Sequence, residues 1–227
     1  MVWRDVQIFC ILDKIKWFCF GRFFSIGNDI KMNTWEHSLL GQRKFGGRPE
    51  DYHSIHKFID SSKLFCYHLK HRLLLHNLYG VELAISLFGD AIKNADGAIV
   101  MVRDIAVEHV REDLDGKIPT LAEWLEEDKS EFPFEVPDLG DEKLNSFIWK
   151  PYLRSGHKAA LNITCSDFGI FLTELFYGPE AALKLRSKIK ADYKVSSFLE
   201  RFTLTKSWQY SPMKEELEWL KNQNKSK

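Results

Sequence analysis

The chain has 227 residues, of which 44% are hydrophobic and 28% charged, a composition typical of a globular protein with a buried core. Thirty-two basic residues balance 32 acidic ones, so the chain lacks the positive charge that non-specific nucleic-acid binding requires. The four cysteines include no C-x-x-C pair, which argues against a zinc ribbon or a disulfide framework and favours a reducing, cytoplasmic compartment.

The first 31 residues differ in composition from the rest, with Phe, Trp, Cys and Ile crowded together. The charges interspersed among them leave no apolar run long enough for a membrane span or a secretory signal. The segment is either an N-terminal packing element or an upstream extension, with translation starting at Met32. The sequence MNTWEHSLL favours the second interpretation.

Helical patterns dominate the remainder of the chain. A first helix is predicted from a cap at Thr34 to about Lys44, and a second over residues 50–59, after a break at Gly-Gly-Arg-Pro. The longest predicted helix covers about residues 62–88. Its apolar residues occupy nearly the whole circumference, which is typical of a buried helix, so we expect its histidines and Arg72 to enter the protein interior.

The predicted fold class is mainly α, a helical bundle-like protein with one small β-hairpin near residues 91–102. Two β-prone runs flank an Asp-Gly turn there. A further helix is predicted over residues 103–114, and a capping box begins another at Thr120. The predicted organisation is an N-terminal extension, a His-rich helical domain, a linker and a C-terminal helical region, over residues 1–31, 32–126, 127–150 and 151–227.

Two segments of the chain are weakly similar in sequence. Residues 71–90 and 157–180 each run from a His-basic pair to an aromatic residue followed by Gly. Counted from the histidine to that glycine (71–89 and 157–178), the lengths differ by three residues, and the second segment lacks the later histidine. An internal duplication is one interpretation and chance similarity is the other.

Histidines cluster in one window. Seven of the eight lie between residues 34 and 113, at His37, His53, His56, His68, His71, His76 and His109. Imidazole is the commonest metal ligand, and pairs three or four residues apart on facing helices build metal sites in bundle proteins. A mixed nitrogen and oxygen set suits zinc, iron or manganese. We predict a divalent metal ion held by His56, His71, His109 and a carboxylate, which is Asp60 or alternatively Glu112 or Asp113.

Other polar residues near this set are predicted to support it. On a continuous helix His71 and His76 cannot both face one ion, because they are five residues apart. We therefore expect His76, together with His37 and Arg72, to support the ligands or to bind an anionic substrate group. The predicted catalytic carboxylates are Glu112 and Asp113, one of which would take a proton from a metal-activated water in a hydrolysis.

Two alternatives remain open. In one, the chain is a non-catalytic module that binds a protein partner, and its histidines form a buried hydrogen-bond network that fixes the register of the helices. In the other, the clustered histidines change charge together between about pH 5 and 7 and regulate the oligomeric state. The sequence contains no G-x-S-x-G, P-loop, G-x-G-x-x-G or H-E-x-x-H motif, so nothing supports a serine hydrolase, nucleotide binding or a metalloprotease.

Several stretches of the first half are specific in combination: HSLL (37–40), KFGGRPEDY (44–52), IHKFIDSSK (55–63), HRLLLHN (71–77), FGDAIKNADG (88–97) and VRDIAVEHVREDLDGKIPTLAEWL (102–125). Together they resemble a family of small bacterial and phage proteins of unknown function, over residues 32 to about 126. His53 and His68 look like departures from the family pattern, whereas the other five clustered histidines lie within the matching pieces. The resemblance implies which histidines matter but implies no activity.

Overall fold

The computed structural model describes residues 33–66, 69–126, 131–189 and 193–209. Within these ranges the protein is mainly α-helical with one two-stranded antiparallel hairpin, which confirms the predicted fold class. The predicted N-terminal extension, His68 and the predicted helix near residues 212–222 lie outside the described residues.

The first half contains helices α1 (Thr34–Phe45), α2 (Pro49–Asp60), α3 (Arg72–Leu75), α4 (Leu78–Phe88), α5 (Val102–Asp113) and α6 (Leu121–Leu125), with strands β1 (Ala91–Lys93) and β2 (Ile99–Met101) between α4 and α5. The second half contains α7 (Glu142–Ser155), α8 (Leu161–Thr164), α9 (Asp167–Tyr177), α10 (Pro179–Lys188) and α11 (Val195–Arg201). Short 3-10 turns cover Ser61–Leu64, Leu69–His71, Lys158–Ala160 and Ser207–Gln209.

The start of α1 ties that helix to the end of α2. The cap of α1 is Asn33, one residue before the predicted Thr34, and a capping box joins Asn33 to Glu36. Thr34 is the first helical residue instead, and its hydroxyl donates a hydrogen bond of 2.9 Å to Oδ2 of Asp60. The last carboxylate of α2 is thereby fixed by the first turn of α1.

The prediction of one long helix over residues 62–88 is wrong. The chain forms two 3-10 turns and then α3 and α4, with a break at His76 (φ −85°, ψ 62°) and Asn77 (φ −161°, ψ 173°). Asn77 stabilises the break, because its side chain accepts from the Gly80 amide at 3.1 Å and donates to the Leu73 carbonyl at 2.7 Å. The sequence did not predict this break because apolar residues occur all around the segment, so the hydrophobic periodicity does not change at His76.

A glycine makes the break possible, and the same arrangement recurs later in the chain. A Cβ on Gly80 would lie 1.9 Å from the Leu75 carbonyl oxygen, and a Cβ on Gly169 would lie 1.9 Å from that of Thr164. The 3-10 turn, α3 and α4 (residues 69 to 88) are repeated 89 residues later by a 3-10 turn, α8 and α9 (residues 158 to 177). The two segments that are similar in sequence therefore share a local structure. At the offset of 89 residues, His76 corresponds to Cys165.

Both halves contribute to one main hydrophobic core, which includes residues of α2, α4 and α5 as well as α9 and α11. The ring of Phe65 lies 5.1 Å from that of Phe168 and 5.5 Å from that of Phe171, measured between centroids. Helix α7 begins at Glu142, inside the stretch interpreted as a linker. In the described part of the chain no single helix is both long and apolar enough to cross a membrane, although the bent pair Lys158–Thr164 and Asp167–Tyr177 meets that test together.

Candidate metal centre

Four potential ligands from three parts of the first half meet in the interior. Asp60 is the last residue of α2, His76 lies at the break between α3 and α4, and His109 and Asp113 are one turn apart on α5. One ligand atom from each residue lies within 4.8 Å of all the others. All four residues are buried, with 5% exposure or less. The group is therefore able to hold a metal ion away from solvent.

The spacing of these atoms fits a small cation. The Nε2 atoms of His76 and His109 are 3.3 Å apart, and Oδ2 of Asp113 lies 2.9 Å from the first and 4.0 Å from the second. Oδ1 of Asp60 lies 3.4 Å from Nε2 of His109 and 3.8 Å from that of His76. Bonds of about 2.0–2.2 Å in a tetrahedral zinc site separate ligand atoms by about 3.4 Å. The observed separations lie on both sides of this value.

Two of the four donor atoms, Oδ1 of Asp60 and Oδ2 of Asp113, accept no hydrogen bond of acceptable geometry from the described residues. Oδ1 of Asp60 is held instead by an ion pair with Lys63, and Oδ2 of Asp113 has Nε2 of His76 as its neighbour at 2.9 Å. Buried polar atoms in folded proteins are nearly always satisfied, so such atoms require an explanation. A metal cation at the centre would provide one for Oδ2 of Asp113, and it would compete with Lys63 for Oδ1 of Asp60.

The side chain of His56 orients His109. Their Nδ1 atoms are 3.0 Å apart. Burial, together with the neighbouring histidines, lowers the pKa of His109 to about 3 and that of His56 to about 2, so both rings are neutral near pH 7. A metal on Nε2 of His109 requires the proton on Nδ1, which then donates to Nδ1 of His56. Such a partner fixes both the tautomer and the orientation of a ligand.

A His–Glu pair adjoins the four donors. Nδ1 of His37 lies 2.5 Å from Oε2 of Glu112, whose side chain is 25% exposed. Nε2 of His37 lies 3.6 Å from Oδ1 of Asp113 and has no hydrogen-bond partner in the part of the chain that the structure describes. The ring of His37 stacks on that of His109 at 3.9 Å. The pair thus connects the partly exposed edge of the centre to its buried donors.

Two cations complete the surroundings. Lys63 places Nζ 2.6 Å from Oδ1 of Asp60, and Arg72 places Nη2 3.4 Å from Oδ1 of Asp113. Burial raises the pKa of each aspartate, but His109 and Lys63 at Asp60, and His76 and Arg72 at Asp113, outweigh burial and hold both pKa values well below the ordinary range. Both side chains are therefore carboxylates at neutral pH, as metal ligands must be.

The structure divides the predicted ligands into two groups. His109 and Asp60 contribute to the four-donor group, whereas His56 bonds to His109, and Nδ1 of His71 lies 2.9 Å from the Ser62 hydroxyl. His76 takes a place among the donors because the chain breaks there, so the spacing rule for a continuous helix does not apply to it. Asp113, predicted as a catalytic carboxylate or an alternative ligand, also lies among the donors.

Comparison with known proteins supports the resemblance of the first half to an uncharacterised family. Residues 32–132 match a family model described as Domain of unknown function (DUF6915), an uncharacterised family. The match covers less than half of the chain and ends before α7. No curated protein and no solved structure matches the chain.

Proposed function

We propose that the chain is a metal-binding protein that holds one divalent cation through Asp60, His76, His109 and Asp113. The convergence of their four donor atoms within 4.8 Å, all buried, is the observation that carries this proposal. Two imidazole nitrogens with two carboxylate oxygens form a ligand set that suits zinc, iron or manganese. The spacing near a tetrahedral edge favours zinc first.

The hydrogen-bond network alternative explains the same residues less well. A buried network stabilises a unique packing when all of its members are satisfied. Within residues 33–66, 69–126, 131–189 and 193–209, Oδ2 of Asp113 accepts no hydrogen bond of acceptable geometry, and Oδ1 of Asp60 is held only by its ion pair with Lys63. These two oxygens support a bound ion over a network that only fixes the register of the helices, because an ion would contact both of them.

The proposed reaction class is metal-assisted hydrolysis, and the His37–Glu112 pair favours it. A bound divalent ion lowers the pKa of a water that it contacts. His37 can accept a proton at its unpaired Nε2, while the Glu112 carboxylate holds the ring through Nδ1. A carboxylate that orients a histidine in this way is a recurring arrangement for general bases. In this proposal Glu112, which the sequence predicted as a catalytic carboxylate, acts by orienting His37.

Metal binding is tested by thermal melting of the full chain with a strong chelator and with added zinc. Binding to the folded state alone raises stability by mass action, by about 2.7 kcal/mol when free metal is 100 times its Kd. The double variant D60N/D113N is expected to lose this shift. Asp104→Asn is the matched control, because Asp104 is an exposed carboxylate on the same helix as Asp113. Equal melting curves for the wild-type protein under both conditions would favour the network instead.

Hydrolysis is tested with the metal-loaded protein and a panel of phosphate and carboxylate esters. We expect Glu112→Gln to lower the rate by roughly 100-fold or more, the usual contribution of general acid–base groups, with the metal content unchanged. Glu108→Gln is the control, because Glu108 has a similarly exposed side chain on α5 but pairs with Lys44 and Arg111. A loaded wild-type protein that cleaves none of the esters contradicts the reaction class but not metal binding.

A further inference from the structure

The break between α3 and α4 leaves the carbonyl of His76 without its helical partner. In a continuous helix this carbonyl would accept a hydrogen bond from the Gly80 amide, four residues later. At the break that amide donates to the side chain of Asn77 instead, at 3.1 Å. His76 is completely buried, and a buried carbonyl without a partner costs roughly 1–3 kcal/mol. The His76 carbonyl therefore needs a donor from elsewhere in the chain.

A segment that includes α6 satisfies the backbone on both sides of the break. Nε1 of Trp124 donates to the His76 carbonyl at 3.2 Å, and the Leu78 amide donates to the Pro119 carbonyl at 2.9 Å. The indole N–H is a donor only, and a buried tryptophan usually uses it. Trp124 is 2% exposed, so its bond to His76 is shielded from water. This segment therefore fixes the backbone from which the His76 imidazole projects.

Residues 205–209, the last that the structure describes, form a turn that packs against Trp124. The ring of Trp208 stands nearly perpendicular to that of Trp124, with 4.8 Å between centroids. Nζ of Lys206 donates to the Glu123 carbonyl at 3.0 Å, one residue before Trp124. This 205–209 turn lies outside the residues that match the family model, which end at 132. The second half of the chain thus reaches the metal centre through one indole ring.

We propose that Trp124 is a positioning residue of the metal centre and that the 205–209 turn keeps its indole on the His76 carbonyl. This inference rests on the proposed metal site. When the turn leaves α6, Trp124 is released, the His76 carbonyl loses its donor, and the imidazole moves away from the other metal donors. Docking of the turn and binding of the metal therefore favour each other, because coupling between two equilibria is reciprocal. The second half of the chain thereby controls metal affinity.

Trp124→Phe tests the positioning role, because it removes the indole N–H and keeps an aromatic ring. Zinc affinity of the full chain is measured by competition with a chelator dye, below the melting transition of each variant. We expect W124F to bind zinc roughly 10- to 100-fold more weakly, the loss typical of a group that supports a metal ligand. Trp149→Phe is the matched control, because Trp149 is 38% exposed on α7.

A second control separates positioning from general stability. The ring of Phe147 packs on that of Phe176, and Phe147 is 6% exposed. Phe147→Leu is expected to lower the free energy of unfolding of the metal-free protein, measured in urea, and to leave the zinc affinity of the folded protein unchanged. Wild-type zinc affinity in folded W124F, or an equal loss of affinity in F147L, overturns the positioning role.

The role of the 205–209 turn is tested with Trp208→Phe and Lys206→Ala, which also decide the proposal if W124F does not fold. Both keep the indole N–H of Trp124, and we expect both to weaken zinc binding severalfold. Zinc is expected in turn to slow local hydrogen exchange at the amides of the turn, with those of α10 as the internal control. Unchanged exchange in the turn, with wild-type zinc affinity in both variants, overturns the coupling. A wild-type protein that binds no zinc contradicts the metal site itself, so the two failures are distinguishable.

Discussion

The Nε2 atoms of His76 and His109 face each other 3.3 Å apart, although 33 residues separate the two histidines in the chain. Two neutral imidazoles in this position share at most one N–H···N hydrogen bond. Oδ2 of Asp113 lies 2.9 Å from Nε2 of His76. The break between α3 and α4 gives His76 this orientation, so the local backbone and the proposed site depend on each other.

Separate alanine variants of the two histidines in the HRLLLHN stretch test which one is a metal ligand. The sequence predicted His71, whereas the structure favours His76. We expect His76→Ala to weaken zinc binding by more than the roughly 10- to 100-fold typical of a lost supporting residue. His71→Ala is expected to have a smaller effect, because Nδ1 of His71 bonds to Ser62 and the residue lies outside the four-donor group. Zinc affinity measured by competition with a chelator dye checks both. The reverse order would restore His71 as a ligand.

Glycine at the break is expected to be required for the metal site. In Gly80→Ala the new Cβ would lie 1.9 Å from the Leu75 carbonyl oxygen, so the break must open and displace His76. Gly169→Ala produces the same clash in the second half, where the structure places no histidine at the equivalent break. We expect both variants to melt at lower temperature and only G80A to lose zinc when assayed below its melting transition. Zinc retained by a folded G80A protein would contradict the link.

Acid is expected to destabilise the metal-free protein between pH 7 and pH 5. Burial lowers the pKa of His56 to about 2 and that of His109 to about 3, whereas each titrates near 6.5 in the unfolded chain. The unfolded chain therefore binds protons below pH 6.5 that the folded chain does not bind. The free energy of unfolding falls by up to about 1.4 kcal/mol per pH unit for each such histidine. The lowered pKa values of Asp60 and Asp113 act in the same direction at lower pH.

Urea denaturation at pH 7, 6 and 5 in the presence of chelator measures this effect. We expect His56→Gln to reduce the dependence on pH, because it removes one of the histidines that remain neutral only in the folded state. A free energy of unfolding that stays constant from pH 7 to pH 5 would show that these rings are not neutral and buried as the structure places them.

Removal of the Lys63 charge is expected to change the affinity of the centre for a cation. Lys63 competes with a metal for Oδ1 of Asp60 at 2.6 Å, so Lys63→Gln is expected to tighten zinc binding severalfold, the scale of a partly exposed ion pair worth about 1 kcal/mol or less. Lys44→Gln, which breaks an exposed pair with Glu108, is the control. Weaker zinc binding in K63Q would show that the lysine supports the site instead of competing with it.

The sequence predicted the elements whose signals are local. The start of a helix at the Gly-Gly-Arg-Pro break, the Asp-Gly turn of the hairpin and the capping box at Thr120 all occur where their residue types place them. The break at His76 was missed because its signal, Asn77 three residues before Gly80, lies within a uniformly apolar stretch. That one missed break moved His76 out of the predicted ligand set, since residues five apart on a continuous helix diverge.

Other features of the centre depend on contacts between distant residues. The hydrogen bond from Thr34 to Asp60 and the approach of His37 to Glu112 join residues 26 and 75 positions apart. Periodicity within one helix cannot report such pairs. The sequence did limit the search to a few histidines and carboxylates, and the tertiary structure selects four of them.

Elemental analysis tests the metal site most directly. The full chain is purified without a histidine tag, incubated separately with zinc, manganese and iron(II), and dialysed before measurement beside the double variant D60N/D113N. We expect about one equivalent of metal per wild-type chain, the stoichiometry of a single closed site, and none in the variant. Wild-type protein without metal after every incubation, or a folded variant that keeps its metal, would contradict a metal centre at Asp60, His76, His109 and Asp113.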